Sequence, residues 1–163
     1  MSTSKTPPPI IDSARVIEYA HIGQDIPYTG GIHLIVDGER LGAVPNLAIC
    51  RNYCIPDDIL LLFCDGEWSS KGCIAFSKVE EAKIKAERGY PGISSLWSET
   101  PHDDNAVADF LRDVYDVDPS SEWWRYRCSF CQKDVEGQGI SKGWATICRS
   151  CVEAFHKAFH ANA

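Results

Sequence analysis

Two pairs of cysteines near the C-terminal end constrain this 163-residue chain more than any other feature. One Cys-x-x-Cys pair is Cys128 and Cys131, the other is Cys148 and Cys151, and 16 residues separate them. The short spacing directs both thiolates of a pair at a common centre, and two such pairs can close a tetrahedral site around a metal ion. The pattern therefore predicts one structural Zn²⁺ per chain, with these four cysteines as its ligands.

A metal site of this kind supports folding rather than catalysis. Four protein ligands leave no open position for a water molecule. About 40 residues with few apolar side chains surround the cysteines, and a segment of that size normally needs a metal or disulfide to fold. We therefore predict no catalytic residue in this module and no enzymatic activity for the protein.

The other four cysteines do not form such a pattern. Cys50 and Cys54 have a Cys-x-x-x-Cys spacing, whereas Cys64 and Cys73 stand apart in apolar segments. Free cysteine is among the most buried residue types and packs as a small apolar side chain. Cys64 and Cys73 are therefore predicted to be core thiols, and Cys50 and Cys54 remain candidates for a second metal or redox site.

The N-terminal segment and the hydropathy pattern predict a cytoplasmic location. Met1 to Pro9 lacks the apolar run of a signal peptide. The longest apolar run, Ile59 to Cys64, is far below the roughly 20 residues that cross a bilayer. We expect no membrane partner and, in a reducing compartment, no disulfides.

Charge divides the chain unevenly. The net charge is −7, but residues 123–163 carry six basic and three acidic side chains, a balance of +3, which leaves −10 for residues 1–122. An acidic body repels nucleic acid at long range, whereas the basic C-terminal part could contact it. Nucleic acid is therefore a possible partner of the module, but not the favoured one.

The apolar patterning predicts an α+β fold. We expect a disordered segment over residues 1–12, a body over 13–118 in which one or two helices pack on an antiparallel sheet, and a treble-clef or ribbon-like C4 zinc module over 119–163. Residues 116–122 form the expected linker. The predicted strands of the body are Ala14 to Ile22, a hairpin over 32–41 that turns at Asp37-Gly38, Asn46 to Cys50, Ile59 to Cys64, Cys73 to Phe76 and an edge strand over Ile93 to Trp97.

Two capping boxes predict where the body helices begin. Ser77 with Glu80 opens a helix that stops near Gly89, and Thr100 with Asp103 opens a second. The second helix carries apolar residues at i, i+3, i+4 and i+7, which predicts one buried face: Val107, Phe110, Leu111 and Val114.

The residues around the two cysteine pairs resemble a known family. The run Cys128 to Lys133 reads CSFCQK and the run Ile147 to Glu153 reads ICRSCVE. Both are similar to the C4 zinc-binding domain of the ClpX unfoldase, over residues of about 123–160. The resemblance implies a module that dimerises and docks adaptor proteins or substrates. This chain departs from the family in its C-terminal placement and in Gly137-Gln138-Gly139, where the family has Gly-Pro, and Trp144 has no counterpart.

The rest of the sequence gives no catalytic motif. No phosphate-binding loop is present, so ATP-driven unfolding is excluded. His21, His33 and His102 belong to no catalytic pattern, and an enzyme would need a cleft in the body lined by some of Cys50, Cys54, His21 and His33. His156 and His160 share an i,i+4 spacing without a third ligand nearby, which favours solvated or packing histidines.

Three functions are compatible with these observations. The leading hypothesis is a non-enzymatic, adaptor-like protein that uses its zinc module to form a homodimer or to dock a protein partner. The first alternative is a bacterial or phage immunity or inhibitor protein with an acidic binding surface. The second is zinc-dependent nucleic-acid binding, which needs five basic side chains on one surface: Arg125, Arg127, Lys133, Lys142 and Arg149.

Overall fold

The computed structural model of the chain describes residues 6–32, 34–36, 39–135, 137–142 and 145–160. They divide into two compact units, Met1–Val107 and Ala108–Ala163. The sequence placed the boundary later, in the segment 116–122. No helix in the described part of the chain is long and apolar enough to cross a membrane.

The first unit is built on an antiparallel sheet, which confirms the predicted α+β class. Its strands are β1 (Ile10–Ile11), β2 (Ala14–His21), β3 (Ile35–Val36), β4 (Glu39–Arg40), β5 (Asn46–Asn52), β6 (Ile59–Cys64), β7 (Ser70–Phe76) and β8 (Ser98–Glu99). The sheet runs in the order β1-β2-β5-β6-β7, and β8 also pairs with β2. Strands β3 and β4 pair separately as the predicted hairpin, whose turn residues 37 and 38 lie outside the described residues.

Strand β6 lies inside the sheet because its side chains are apolar on both faces. It pairs with β5 on one side and with β7 on the other, and Leu61, Leu62 and Phe63 are all buried. One face of the sheet forms a core with helix α1 (Val79–Gly89), whose residues Ala82 and Ala86 allow close approach. The opposite face carries a second cluster of small and apolar residues, which includes Cys50 and Cys64.

The prediction of disorder over residues 1–12 is wrong for its end. Ile10 and Ile11 are buried and pair with β2. Asp12 and Ser13 connect the two strands, and both have positive φ angles, of 47° and 58°. Two consecutive residues with positive φ form the tight turn that suits a β-hairpin, and aspartate tolerates this conformation better than most side chains.

Both predicted capping boxes are misplaced by a few residues. Helix α1 begins at Val79 with Lys78 as its N-cap. The Ser77 N–H donates to the carboxylate of Glu81, at 3.2 Å, and not to that of the predicted partner Glu80. Helix α2 (Asp104–Tyr115) is capped by Asp103, whose carboxylate accepts the Ala106 N–H at 2.8 Å. Sequence spacing located the helices, but neighbouring polar residues compete for the cap position.

Two further predictions about this region need correction. The edge strand expected over Ile93 to Trp97 is a short 3₁₀ helix, Ile93–Ser95, because Gly92 takes a φ of 96° and redirects the chain. In α2, Val107 and Leu111 are buried, whereas Val114 is 61% exposed. The predicted apolar face of α2 is therefore buried only in part.

The second unit contains the C-terminal cysteines. Strands β9 (Gly139–Lys142) and β10 (Ala145–Cys148) form an antiparallel hairpin, and helix α3 (Arg149–His160) follows directly. The order of cysteine pair, hairpin and helix agrees with the predicted treble-clef or ribbon-like module. We call residues 127–160 the cysteine module.

Candidate metal centre

The first cysteine pair lies on a tight turn closed by backbone hydrogen bonds. The Cys128 N–H donates to the Lys133 carbonyl at 2.8 Å, and the Gln132 N–H donates to the Cys128 carbonyl at 2.9 Å. Gln132 has a φ of 59°, which lets the chain reverse immediately after Cys131. This reversal leaves both thiols of the pair on the same side of the turn.

The hairpin of β9 and β10 carries the second pair to the same place. Gly139 pairs with Cys148, and a Cβ at position 139 would lie only 2.8 Å from Thr146 Cγ2 and 3.1 Å from Val135 Cβ. Ser129 ties the first turn to the hairpin, because its N–H donates to the Thr146 carbonyl at 2.7 Å and its hydroxyl accepts the Thr146 N–H at 3.0 Å. Glycine at 139 therefore permits the close packing that brings Cys148 to the first pair.

The four sulfur atoms form one compact cluster, as the sequence predicted. All four lie within 4.8 Å of one another. Cys128 Sγ is 3.7 Å from Cys151 Sγ, and Cys131 Sγ is 3.7 Å from Cys148 Sγ. In a tetrahedral site with metal–sulfur bonds of about 2.3 Å, adjacent sulfurs lie about 3.8 Å apart. The four side chains are thus positioned to bind one metal ion.

Backbone N–H groups stabilise a thiolate at Cys128. The N–H groups of Cys148 and Phe130 point at Cys128 Sγ, at 3.3 and 3.4 Å. Burial by itself would raise the pKa of this thiol, but these donors, together with Cys131, lower the pKa of Cys128 to about 6. Hydrogen bonds from backbone N–H groups orient a ligand and satisfy the sulfur lone pairs that do not face a metal.

The thiol of Cys151 resists ionisation while no cation is bound. Burial, followed by hydrogen bonding to the neighbouring sulfurs and the charge on Cys128, raises the pKa of Cys151 to about 12. A divalent cation at the centre reverses this effect, because each thiolate then faces a positive charge. Metal binding must therefore release protons, and it must weaken as the pH falls.

The donor set also indicates which ions fit. Four thiolates in a tetrahedron suit zinc or an iron–sulfur centre, and do not suit magnesium or calcium, which prefer oxygen ligands. Within the described residues, this tetrad is the only group of three or more His, Cys, Asp or Glu side chains that could hold a metal ion. The structure therefore assigns to the tetrad the capacity to bind a metal ion that prefers thiolate ligands.

The body cysteines form no comparable cluster. Cys50 and Cys64 are fully buried, and burial, reinforced by nearby acidic groups, raises the pKa of the Cys64 thiol to about 12 and that of Cys50 well above its usual range. These two are core thiols, as predicted for Cys64. Cys73 is exposed on β7, so its assignment as a core thiol is wrong. The alternating exposure along β7 turns Cys73 to solvent.

The candidate body histidines are held by structural contacts. His21 Nδ1 lies 2.8 Å from the Asn46 side-chain oxygen, and the Asn46 amide donates to the Asp65 carbonyl at 2.7 Å. His102 Nε2 lies 2.8 Å from the Pro7 carbonyl. His33 lies outside the described residues. The structure does not bring His21 together with Cys50 or Cys54 in a metal-binding group.

The aromatic and basic residues of the second unit are also engaged locally. Trp123 is buried against Tyr115, with ring centroids 5.4 Å apart, and the Arg127 guanidinium stacks on the Tyr115 ring at 4.1 Å. Arg125 pairs with Glu122 at 2.9 Å. Arg149 pairs with Glu153 at 3.1 Å. Three of the five basic side chains that nucleic-acid binding would need thus have other contacts.

The module exposes an apolar surface formed by α3 and the first cysteine turn. Val152, Phe155 and Phe159 lie on α3 at i, i+3 and i+7 and are exposed. Phe130 joins them, because its ring centroid lies 5.1 Å from that of Phe155. We call these four residues the apolar surface. Phe130 is 59% exposed, Phe159 is 81% exposed, and no described residue of α3 is buried. Monomeric proteins rarely leave several large apolar side chains together in water.

Comparisons of the chain with protein-family models, with curated proteins and with solved structures found no match.

Proposed function

We propose that this protein is a non-enzymatic, adaptor-like interaction protein. Its cysteine module holds one structural Zn²⁺ and presents the apolar surface for homodimerisation or for docking a protein partner. The observation that carries the proposal is the exposure of Phe130, Phe155 and Phe159 beside a tetrad that leaves no coordination position open. A metal centre without an open position serves folding, and an exposed aromatic cluster is typical of a binding surface.

The proposal of zinc follows from the chemistry of the ligands. Zn²⁺ accepts a tetrahedron of four thiolates readily, and Cys₄ sites are among its commonest structural sites. The sulfur separations of 3.7 Å are close to those expected for zinc–sulfur bonds. The resemblance to the ClpX zinc-binding domain supports the same metal and the same class of function.

The two possible occupants of the apolar surface can be separated by one set of variants. Phe159 is mostly exposed, so Phe159→Ser removes an aromatic contact without creating a cavity in the module. Ile84 on α1 is 55% exposed and lies more than 40 residues before the first cysteine of the tetrad. Ile84→Ser is therefore the matched control. Burial of one aromatic side chain contributes about 1.5–3 kcal/mol, which corresponds to about a tenfold to hundredfold change in affinity.

Sedimentation equilibrium of the zinc-loaded protein tests whether a second copy of the chain covers the apolar surface. We expect a concentration-dependent dimer in the wild type and in Ile84→Ser, and a tenfold or greater loss of affinity in Phe159→Ser. If the protein is monomeric, the same three proteins immobilised as bait identify a partner that only Phe159→Ser fails to retain. Equal association of all three proteins, or none by any of them, would refute a docking role for the apolar surface.

A further inference from the structure

Two histidines lie one turn apart on the exposed side of α3. His156 and His160 are both exposed. Their ring centroids are 4.3 Å apart, with 51° between the ring planes. The sequence indicated only an i,i+4 spacing. The structure adds that the two imidazoles lie against each other in water, five residues or more beyond the last ligand of the tetrad.

This separation suits two ligands of one metal ion. Nitrogen ligands lie about 2.0–2.1 Å from zinc, so two nitrogens on the same ion are at most about 4.2 Å apart. Ring centroids 4.3 Å apart therefore bring a nitrogen of each imidazole within this limit after a small side-chain rotation. Two histidines at i,i+4 on a helix are also the spacing with which helical zinc sites present their ligands.

The neighbouring residues determine how many ligands the protein supplies. Glu153 lies one turn before His156, but its carboxylate accepts a hydrogen bond from Arg149 Nε at 3.1 Å. The described residues contain no second group of three metal-ligating side chains besides the tetrad. Water molecules must therefore complete the coordination, and the affinity must be lower than that of the tetrad.

We propose that His156 and His160 form a second metal site, exposed on α3, which binds one borderline divalent transition-metal ion such as Zn²⁺ or Ni²⁺. Imidazole nitrogen is a good ligand for these ions and a poor one for magnesium or calcium. This site does not depend on the proposed docking function, because it needs neither a dimer nor a partner.

The test is a titration of the full-length protein with Ni²⁺ after the tetrad has been loaded with one equivalent of Zn²⁺. We expect calorimetry to detect one further site. Ni²⁺ is paramagnetic when water completes its coordination, so the ring-proton NMR signals of His156 and His160 should broaden first. Mutation of a residue that only hydrogen-bonds to a metal ligand typically weakens metal affinity about tenfold to hundredfold. Removal of one of the two ligands themselves should therefore weaken Ni²⁺ binding at least tenfold.

Matched variants on the same helix make the result decisive. His160→Gln and His156→Gln each remove one ligand, whereas Lys157→Gln changes an exposed residue between them that is not a ligand. We expect Lys157→Gln to bind Ni²⁺ like the wild type. Equal affinity in His160→Gln and the wild type overturns the proposal, as does broadening centred on the exposed thiol Cys73. The broadening pattern of the wild type does not depend on the folding of any variant.

Discussion

Metal removal should unfold the cysteine module and leave the first unit folded. The apolar cluster around the tetrad consists of two buried cysteines, Cys128 and Cys148, with Cys151 packed against them, and only two other apolar side chains, Val135 and Ile147. Burial of these two contributes about 1.5–3 kcal/mol each, or roughly 3–6 kcal/mol together. Binding of a structural zinc ion contributes about 10–16 kcal/mol in small domains. A zinc ion at the tetrad, as proposed, would therefore be the dominant stabilising interaction of the module.

Cys131→Ser tests this reasoning with little effect on packing. Cys131 is exposed, so the substitution removes a ligand without leaving a buried cavity. Two-dimensional ¹H–¹⁵N NMR, recorded before and after addition of a chelator, reports each unit separately. We expect the amide signals of residues 128–151 to collapse to unfolded positions in Cys131→Ser and in the chelated wild type. Signals from β5 and β6 should keep their positions, because their core contains no tetrad residue.

The control is a cysteine outside the tetrad. Cys54→Ser should leave the spectrum of residues 128–151 unchanged, since Cys54 belongs to no metal-binding group among the described residues. If the chelated wild type keeps dispersed signals over 128–151, packing alone stabilises the module and the comparison of free energies is wrong. A metal content of zero in protein purified without chelator would refute the assignment of the tetrad itself.

Three further predictions concern the body and its thiols. Cys54→Ser should retain one equivalent of metal by elemental analysis, and a drop toward zero would show that Cys54 takes part in metal binding. Gly89→Ala should destabilise the protein by about 1–3 kcal/mol in urea unfolding, because its Cβ would lie 2.2 Å from Cδ1 of the buried Ile32. Gly42→Ala is the control, because no neighbouring side chain lies within 4 Å of its new Cβ. Its free energy of unfolding should stay within about 0.5 kcal/mol of that of the wild type. Burial, reinforced by nearby carboxylates, raises the pKa of Cys64 to about 12, above the value of about 8.5 in unfolded chains. The stabilisation from its neutral form is therefore complete below about pH 8.5 and is lost as the pH rises toward 12, by about 1.4 kcal/mol per pH unit. Urea unfolding at pH 8, 9 and 10 should show a shallower loss of unfolding free energy in Cys64→Ala than in the wild type, and equal slopes would contradict this account.

Most of the correct predictions followed from the periodicity of apolar residues and from the spacing of the cysteines. The uninterrupted apolar run of β6 and the i,i+4 patterns of the helices follow from burial, which any packed structure must satisfy, so they can be read without knowing the neighbours. The cysteine tetrad was equally accessible, because two Cys-x-x-Cys pairs carry their ligand geometry within four residues each. The errors occurred where several local solutions have similar free energies, as at the N-caps of α1 and α2.

The order of residues alone was enough to predict the class of fold and the four cysteines that cluster as candidate metal ligands. Packing between distant segments was needed to show that Ile10 and Ile11 join the sheet, that Cys73 faces solvent and that Phe130 contacts Phe155. Each of these depends on contacts between segments distant in the chain, and a single strand or turn does not specify which of its faces another segment will cover. The exposed apolar surface, on which the proposed function depends, is a property of the packed module as a whole.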